Sequence, residues 1–280
     1  DGLTVEKLKR AAATPEMAPF RKKWSRRTMG RAILWMIDGK EADRDAAIAG
    51  LKKKGAGGGS WSGKGLALMQ LASLYDWMHS ELDPKTRKTV RSRIEAAADN
   101  AVDHIRRGKA PFYYSRTPGA LAGVALSGLA LHGESEKAEG YLQLVREWGV
   151  NDFFKAYEWL DGAATGATYT FYYTYVDLSS LCAAWWSATG RNPDDWIREN
   201  RGDWLDGMVR FYLWYMRPGF AFTHINDQAR GDWGTHDQFC QGLDIAGYVT
   251  RNGRGRAWSQ RWLGRFGGRL YHSHYAHNAI

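Results

Sequence analysis

Apolar residues recur every three to four positions along almost the whole chain, and the strict alternation of a half-buried strand is nearly absent. This pattern predicts helices over 3–13, 16–38, 41–54, 65–82, 85–107, 118–131, 134–148, 169–189, 194–216, 235–252 and 255–266. Thr14-Pro15 stops the first, and the second carries Met17, Phe20, Trp24, Met29, Ile33 and Ile37 on one stripe. The glycine cluster at 55–59 opposes a helix, because each Gly costs about 1 kcal/mol there relative to Ala; it reads as a flexible loop with Trp61 at its end. Between 65–82 and 85–107, Asp83 is placed to cap and Pro84 to fill the first helical position. Residues 118–131 are almost all Ala, Gly and Leu, small enough for a tightly packed inner helix, and 134–148 is expected to return on the outside.

Long helices joined by short turns, alternately apolar and amphipathic, predict hairpins arranged around an axis. The expected fold is all-α, an (α/α) toroid or incomplete barrel of helical hairpins, with 1–280 as one domain. No repeat of fixed period and no linker rich in Pro or Ser divides the chain. No apolar run approaches the roughly 20 residues needed to span a bilayer, and Asp1 opens no signal peptide. A membrane partner is not expected.

A hydrophobic content of 44% in 280 residues suits an ordinary globular core. The net charge of +9 favours an anionic partner through long-range attraction. The basic residues are scattered through the helices, without a zinc-finger, RNP or basic-zipper pattern, which tilts against nucleic acid and towards an acidic polysaccharide. Fourteen Trp and fourteen Tyr exceed what a core of this size usually needs, and aromatic faces stack on pyranose rings. Cys182 and Cys240 show no metal-ligand spacing, and are read either as two buried free thiols or as a disulfide in an exported protein.

Candidate chemistry concentrates in two segments. From Asp161-Gly162 to Tyr175, four tyrosines (Tyr169, Tyr172, Tyr173 and Tyr175) sit where a Gly-rich loop gives way to a helix. A phenol there can transfer protons if a nearby cation lowers its pKa from about 10. The second segment, from His224 to Asp237, is dense in polar groups: His236 could act as acid or base, while Asn226, Arg230 and Trp233 could bind substrate. Its competing reading is a set of turn-forming Asn and Asp residues with surface histidines. A metal on His224, Asp227, Asp232 and His236 would match no established ligand motif. His272, His274 and His277 alternate in the tail, where a loosely held end is the simpler reading. Trp61, Trp185 and Trp186 are read either as sugar platforms or as core. No catalytic Ser-His-Asp arrangement, P-loop or dinucleotide fingerprint is present, and no cofactor is called for.

Leu71-Ala72-Ser73-Leu74-Tyr75-Asp76-Trp77, with Leu82 and Arg87 to Ile94, resembles the helix pair in the helical domain of heparinase II/III-like polysaccharide lyases and dermatan-sulfate epimerases. Residues 118–133 look like the small-residue inner helix of that family, and Asp161-Gly162, Gly166 and Tyr169 resemble the segment bearing its catalytic tyrosine. Arg217 to Phe220, Asn226-Asp227, Trp233-Gly234 and Arg251 to Arg254 are similar to its epimerase-like branch. The resemblance runs from about Leu3 to Phe266, carried by the order and spacing of short motifs. It departs in two places: Arg116-Thr117 stands where the family has Asn-His, and Thr165 where it has Glu. The β-sandwich that follows the toroid in the family has no counterpart up to Ile280, so the chain is expected to be either a fragment partnered by that domain or a toroid-only relative.

The resemblance implies β-elimination on a uronate-containing polymer, such as a glycosaminoglycan or alginate, by a secreted or periplasmic enzyme. Removing the C5 proton of a uronate needs a base near C5 and donors that neutralise the adjacent carboxylate. Tyr169 matches the family's tyrosine, with Tyr172 one turn further and Tyr173 in reserve. Arg116, three residues after Tyr113, could neutralise the carboxylate and favour the phenolate. Tyr113, Tyr173 and Trp61 join the expected substrate contacts. Reprotonation from the opposite face would give epimerisation instead. A glycoside hydrolase would need two carboxylates flanking a cleft, with Asp161, Asp227 and Asp232 as candidates. A non-catalytic glycan-binding protein is the third alternative.

Overall fold

In the computed structural model, the described residues are 5–53, 61–107, 117–163, 174–217, 221–222 and 237–266. They are all-helical apart from a two-residue antiparallel ladder that pairs β1 (Met216–Arg217) with β2 (Ala221–Phe222). The helices are α1 Val5–Ala12, α2 Ala18–Trp24, α3 Thr28–Asp38, α4 Glu41–Lys52, α5 Trp61–Met78, α6 Pro84–Arg106, α7 Thr117–Ala130, α8 Ala138–Leu144, α9 Phe154–Trp159, α10 Val176–Thr189, α11 Pro193–Arg201, α12 Trp204–Tyr215, α13 Asp237–Val249 and α14 Gly253–Phe266. A π-helical stretch, Val145–Phe153, joins α8 to α9.

Several boundaries follow the sequence signals. Asp83 caps α6 by accepting from the Thr86 N–H at 2.9 Å, with Pro84 at the first helical position. Asn192 does the same for α11 ahead of Pro193. α7 is buried from Thr117 to Gly128, as its small residues imply.

Three expected helices are interrupted or begin late. The span 16–38 divides at Trp24, where Arg27 turns extended and α3 folds back so that Trp24 packs with Ile33 and Leu34. A continuous helix would hold Trp24 and Ile33 about 13 Å apart along its axis. The span 194–216 divides at Gly202, whose φ of 73° is open to glycine at little cost. The span 134–148 begins only at Ala138, after a turn through Gly133. Trp61 does not end a loop but opens α5. Residues 55–59 and 169–173 lie outside the described residues.

Consecutive helices pair as α3 with α4, α5 with α6, α7 with α8 and α13 with α14, and the pairs touch one another through α3, α5, α7, α10 and α13 in turn. One hydrophobic cluster runs through them from Met29 to Val249, beside the smaller cluster of Trp24, Ile33 and Leu34.

Helices α5, α7, α10 and α13 run in the same direction. Gly65 of α5 meets the backbone at Gly119 of α7, and Leu68 meets Gly123 one turn later, so neither glycine position has room for a Cβ without displacing its neighbour. At the other end, Trp186 of α10 stacks on Tyr248 of α13 (centroids 5.0 Å apart), and Asn192 donates to the Val249 carbonyl at 2.8 Å. α7 and α10 are in contact and line one cleft with their C-terminal halves.

Candidate functional site

The sequence candidates Tyr169, Tyr172, Tyr173, Arg116, His236, Tyr113, Asn226, Arg230 and Trp233 all lie outside the described residues, as do Asp227, Asp232, His224 and the tail histidines. Chain connectivity still relates them to the fold. Arg116 immediately precedes α7, the 169–173 tyrosines lead into α10, His236 immediately precedes α13, and Trp61 is the first residue of α5. These are the N-terminal ends of the four co-directional helices α5, α7, α10 and α13. The partial positive charge of such ends suits an anion.

The described ends of the tyrosine segment are structural. Asp161 and Gly162 both have positive φ, 49° and 74°, and close α9. Gly162 lies so near the Met208 and Trp204 backbone of α12 that a Cβ would fall inside it. Its carbonyl accepts from the Tyr175 hydroxyl at 2.5 Å. Tyr175 is buried, and that burial pushes its phenol well above the ordinary value. Tyr175 is therefore a lock between two chain segments and is removed from the proton-transfer candidates. Asp161 points outward and pairs with Arg210 at 3.6 Å, a guanidinium it shares with Asp203 and Asp206.

At the opposite end, α5, α7, α10 and α13, mostly through their C-terminal halves, line a cleft of about 1140 Å³ together with Lys7 and Leu8 of α1 and Ile33 and Met36 of α3. The face of α5 that lines it carries Leu66, Met69, Gln70, Ser73, Asp76 and Trp77, and α7 adds Leu126, Leu129 and Ala130. α10 contributes Ser180, Ala183, Ala184 and Trp185, and α13 and α14 contribute Asp244, Tyr248 and Arg256. The spacing of three and four residues is that of one helix face.

Tyr75-Asp76-Trp77 divides its labour. Tyr75 is fully buried and donates to Glu134 Oε2 at 2.6 Å, tying α5 to the turn after α7. Glu134 Oε1 lies 2.5 Å from His79 Nε2, and the His79 ring packs edge-on against Tyr75. Burial, followed by the bond to Glu134, drives the Tyr75 phenol far above its ordinary value. Asp76 faces the cleft instead. Its side chain is open to water yet walled by protein, and that desolvation raises its carboxyl above the usual range despite the opposing effect of His79. Asp76 makes no hydrogen bond and no ion pair among the described residues.

Across the cleft, Asp244 is also raised by desolvation, with Arg256 and a Ser259 hydrogen bond acting against it. Tyr248 lies beside Arg256; burial raises its phenol, and its hydroxyl has no hydrogen-bond partner among the described residues. Arg146 sits over the Trp185 ring, 5.7 Å from the centroid, and pairs with Glu139 at 3.2 Å. Trp185 is half-buried at the cleft wall, whereas Trp186 is sandwiched between Tyr248 and Arg251.

None of Asp76, Asp244, Tyr248, Arg256 and Arg146 was singled out as a site residue from sequence. The signal was present: Gln70, Ser73 and Asp76 recur at helical spacing inside an otherwise apolar helix, as Ser180 and Ser187 do in α10. Cys182 is a buried free thiol, raised to about 12 by burial and the neighbouring Asp194. No helix among the described residues is long and apolar enough to cross a membrane. No protein-family model matches the chain, and no curated protein matches it.

Proposed function

We propose that the hairpins form an incomplete (α/α) toroid and that the chain is a polysaccharide lyase acting by β-elimination on a uronate-containing polymer. The observation that carries this reading is the common direction of α5, α7, α10 and α13. Elimination needs a base at C5 and cations at the uronate carboxylate, from residues far apart in sequence. Trp61, Arg116, Tyr169 with Tyr172 and Tyr173, and His236 all belong to segments that lead into those four helices at the same end.

In this reading Tyr169 takes the C5 proton, and Arg116 holds the carboxylate and keeps the phenolate accessible at working pH. The C4–O bond then breaks to give an unsaturated uronate and a free hydroxyl on the departing chain, with His236 or Tyr172 returning the proton. Tyr113, Tyr173, Trp61, Asn226, Arg230 and Trp233 supply stacking and hydrogen bonds along the polymer. Helix N-terminal ends and the net charge of +9 favour an acidic glycan at this end. Such an enzyme would work outside the cytoplasm, with a β-sandwich domain as its natural partner.

The test is incubation with alginate, heparan sulfate, dermatan sulfate and hyaluronan while following the absorbance of the conjugated unsaturated product. New absorbance that disappears in Tyr169→Phe is expected. Reducing ends without absorbance would replace elimination by hydrolysis. That second reading is favoured by one observation, the two carboxylates Asp76 and Asp244 lining one cleft.

A further inference from the structure

The lyase reading leaves the C-terminal cleft unused. From Tyr175 at the start of α10 to Trp185 in the cleft wall is ten residues, or about 15 Å of helix. A polymer bound at the N-terminal ends therefore does not touch Trp185 through the same sugar ring. The cleft has its own lining, and its chemistry differs from that expected at the other end.

The charged groups of the cleft largely cancel in pairs. Arg146 is matched by Glu139 at 3.2 Å, and Arg256 faces Asp244. Lys7 and Asp76 complete the balance of three cations against three carboxylates, and Asp76 is an acceptor with no hydrogen bond among the described residues. A carboxylate in a partly desolvated cleft is best satisfied by donors such as a pair of vicinal hydroxyls, and it repels a second carboxylate. Trp77 and Trp185 line the same cleft half-buried, Trp77 packed in part on the core and Trp185 beneath Arg146. Rings of this kind stack on the apolar face of a pyranose with the face they leave open. Small side chains, Ser73, Ala183 and Ala184, keep the floor between these walls open. A cavity of about 1140 Å³ is larger than the usual range for a drug-sized ligand, about 300–1,000 Å³.

We propose that this cleft is a second saccharide site, specific for uncharged sugar units, in which Asp76 accepts hydrogen bonds from ring hydroxyls and Trp185 and Trp77 provide the stacking surface. It is separate from the proposed lyase centre and does not depend on it. The site selects against uronates by the same carboxylate that anchors a neutral sugar.

The experiment is calorimetric titration of the whole chain with three neutral pentasaccharides (cellopentaose, maltopentaose and chitopentaose), and in parallel with a pentameric uronate from alginate. Saturable binding of at least one neutral pentasaccharide is expected, weakened tenfold or more in both Asp76→Asn and Trp185→Ala, while uronate binding is unchanged in both. Asp76→Asn keeps the shape of the side chain, so it decides the matter if Trp185→Ala fails to give a native circular-dichroism spectrum. Absence of binding by all three neutral sugars, or binding that Asp76→Asn leaves intact, overturns the proposal. Loss of uronate binding in Asp76→Asn also overturns it, because the two sites would then be one. Failure of the lyase assay with Tyr169→Phe would leave these outcomes unaffected.

Discussion

Two segments carry a tyrosine and an aspartate close together, and the fold uses them in opposite ways. In Tyr75-Asp76-Trp77 the phenol is spent on Glu134 inside the packing while the aspartate faces an open cleft without a partner. In the segment that begins at Asp161-Gly162 and ends at Tyr175, the aspartate faces outward onto Arg210, and the phenol again turns inward, onto the Gly162 carbonyl. Both described tyrosines are thus structural, and burial raises both phenols. A tyrosine in a suggestive motif earns a chemical role only where its hydroxyl is left exposed to a ligand and near a cation. Motif position alone does not separate the two cases.

The sharpest way to break the comparison is at Gly162. Its φ of 74° and its contact with the Met208 and Trp204 backbone leave no space for a methyl group. Overpacking costs about 1–3 kcal/mol and a left-handed residue about 1–2 kcal/mol, so Gly162→Ala is expected to lose about 3 kcal/mol in urea unfolding. Ser73→Ala on the cleft face of α5, by contrast, should stay within about 0.5 kcal/mol of the parent.

Next come the two phenols. Tyr75→Phe removes a hydrogen bond to a carboxylate, worth about 1.5–3 kcal/mol, and Tyr175→Phe removes one to a neutral carbonyl, worth about 0.5–1.5 kcal/mol. The order of the two losses checks whether the charged acceptor makes the difference. Neither phenol should ionise below the pH at which the fold itself opens, as read from tyrosinate absorbance.

The helical class, the capping of α6 by Asp83 and the buried small-residue helix α7 were all legible in the sequence, because each rests on a local preference. The breaks at Trp24 and Gly202 were not, since periodicity continues across them. Only the return of Ile33 and Leu34 onto Trp24 shows that the chain reverses there. The cleft was hidden for a related reason. Asp76 stood inside a recognised motif, yet whether a helical aspartate faces solvent, a salt bridge or a cavity is decided by helices more than 100 residues further along, α10 and α13. The catalytic candidates at 113, 116, 169–173 and 226–236 lie outside the described residues, so for them sequence and connectivity carry the reading.

The smallest expected effect tests the environment of Asp76 directly. Its carboxyl is raised by desolvation, so the folded protein binds this proton more readily than the unfolded chain, whose aspartates titrate near 3.9. The sign follows: as pH falls through the raised folded value towards the unfolded one, protonation favours the fold, and at neutral pH the carboxylate works against it. Asp194 and Asp244 are raised too, while Asp99, Asp195 and Asp203 are lowered, so the pH profile of the parent alone is a mixture. The difference between the parent and Asp76→Asn isolates one group. At pH 7 the variant should be equally stable or slightly more so, within about 0.5 kcal/mol, because an amide is neutral in the same walls. As pH falls from neutral towards about 4, the parent should gain on the variant. A flat difference across that range would mean that the Asp76 carboxyl is solvated like an ordinary surface group, and the cleft would not be its environment.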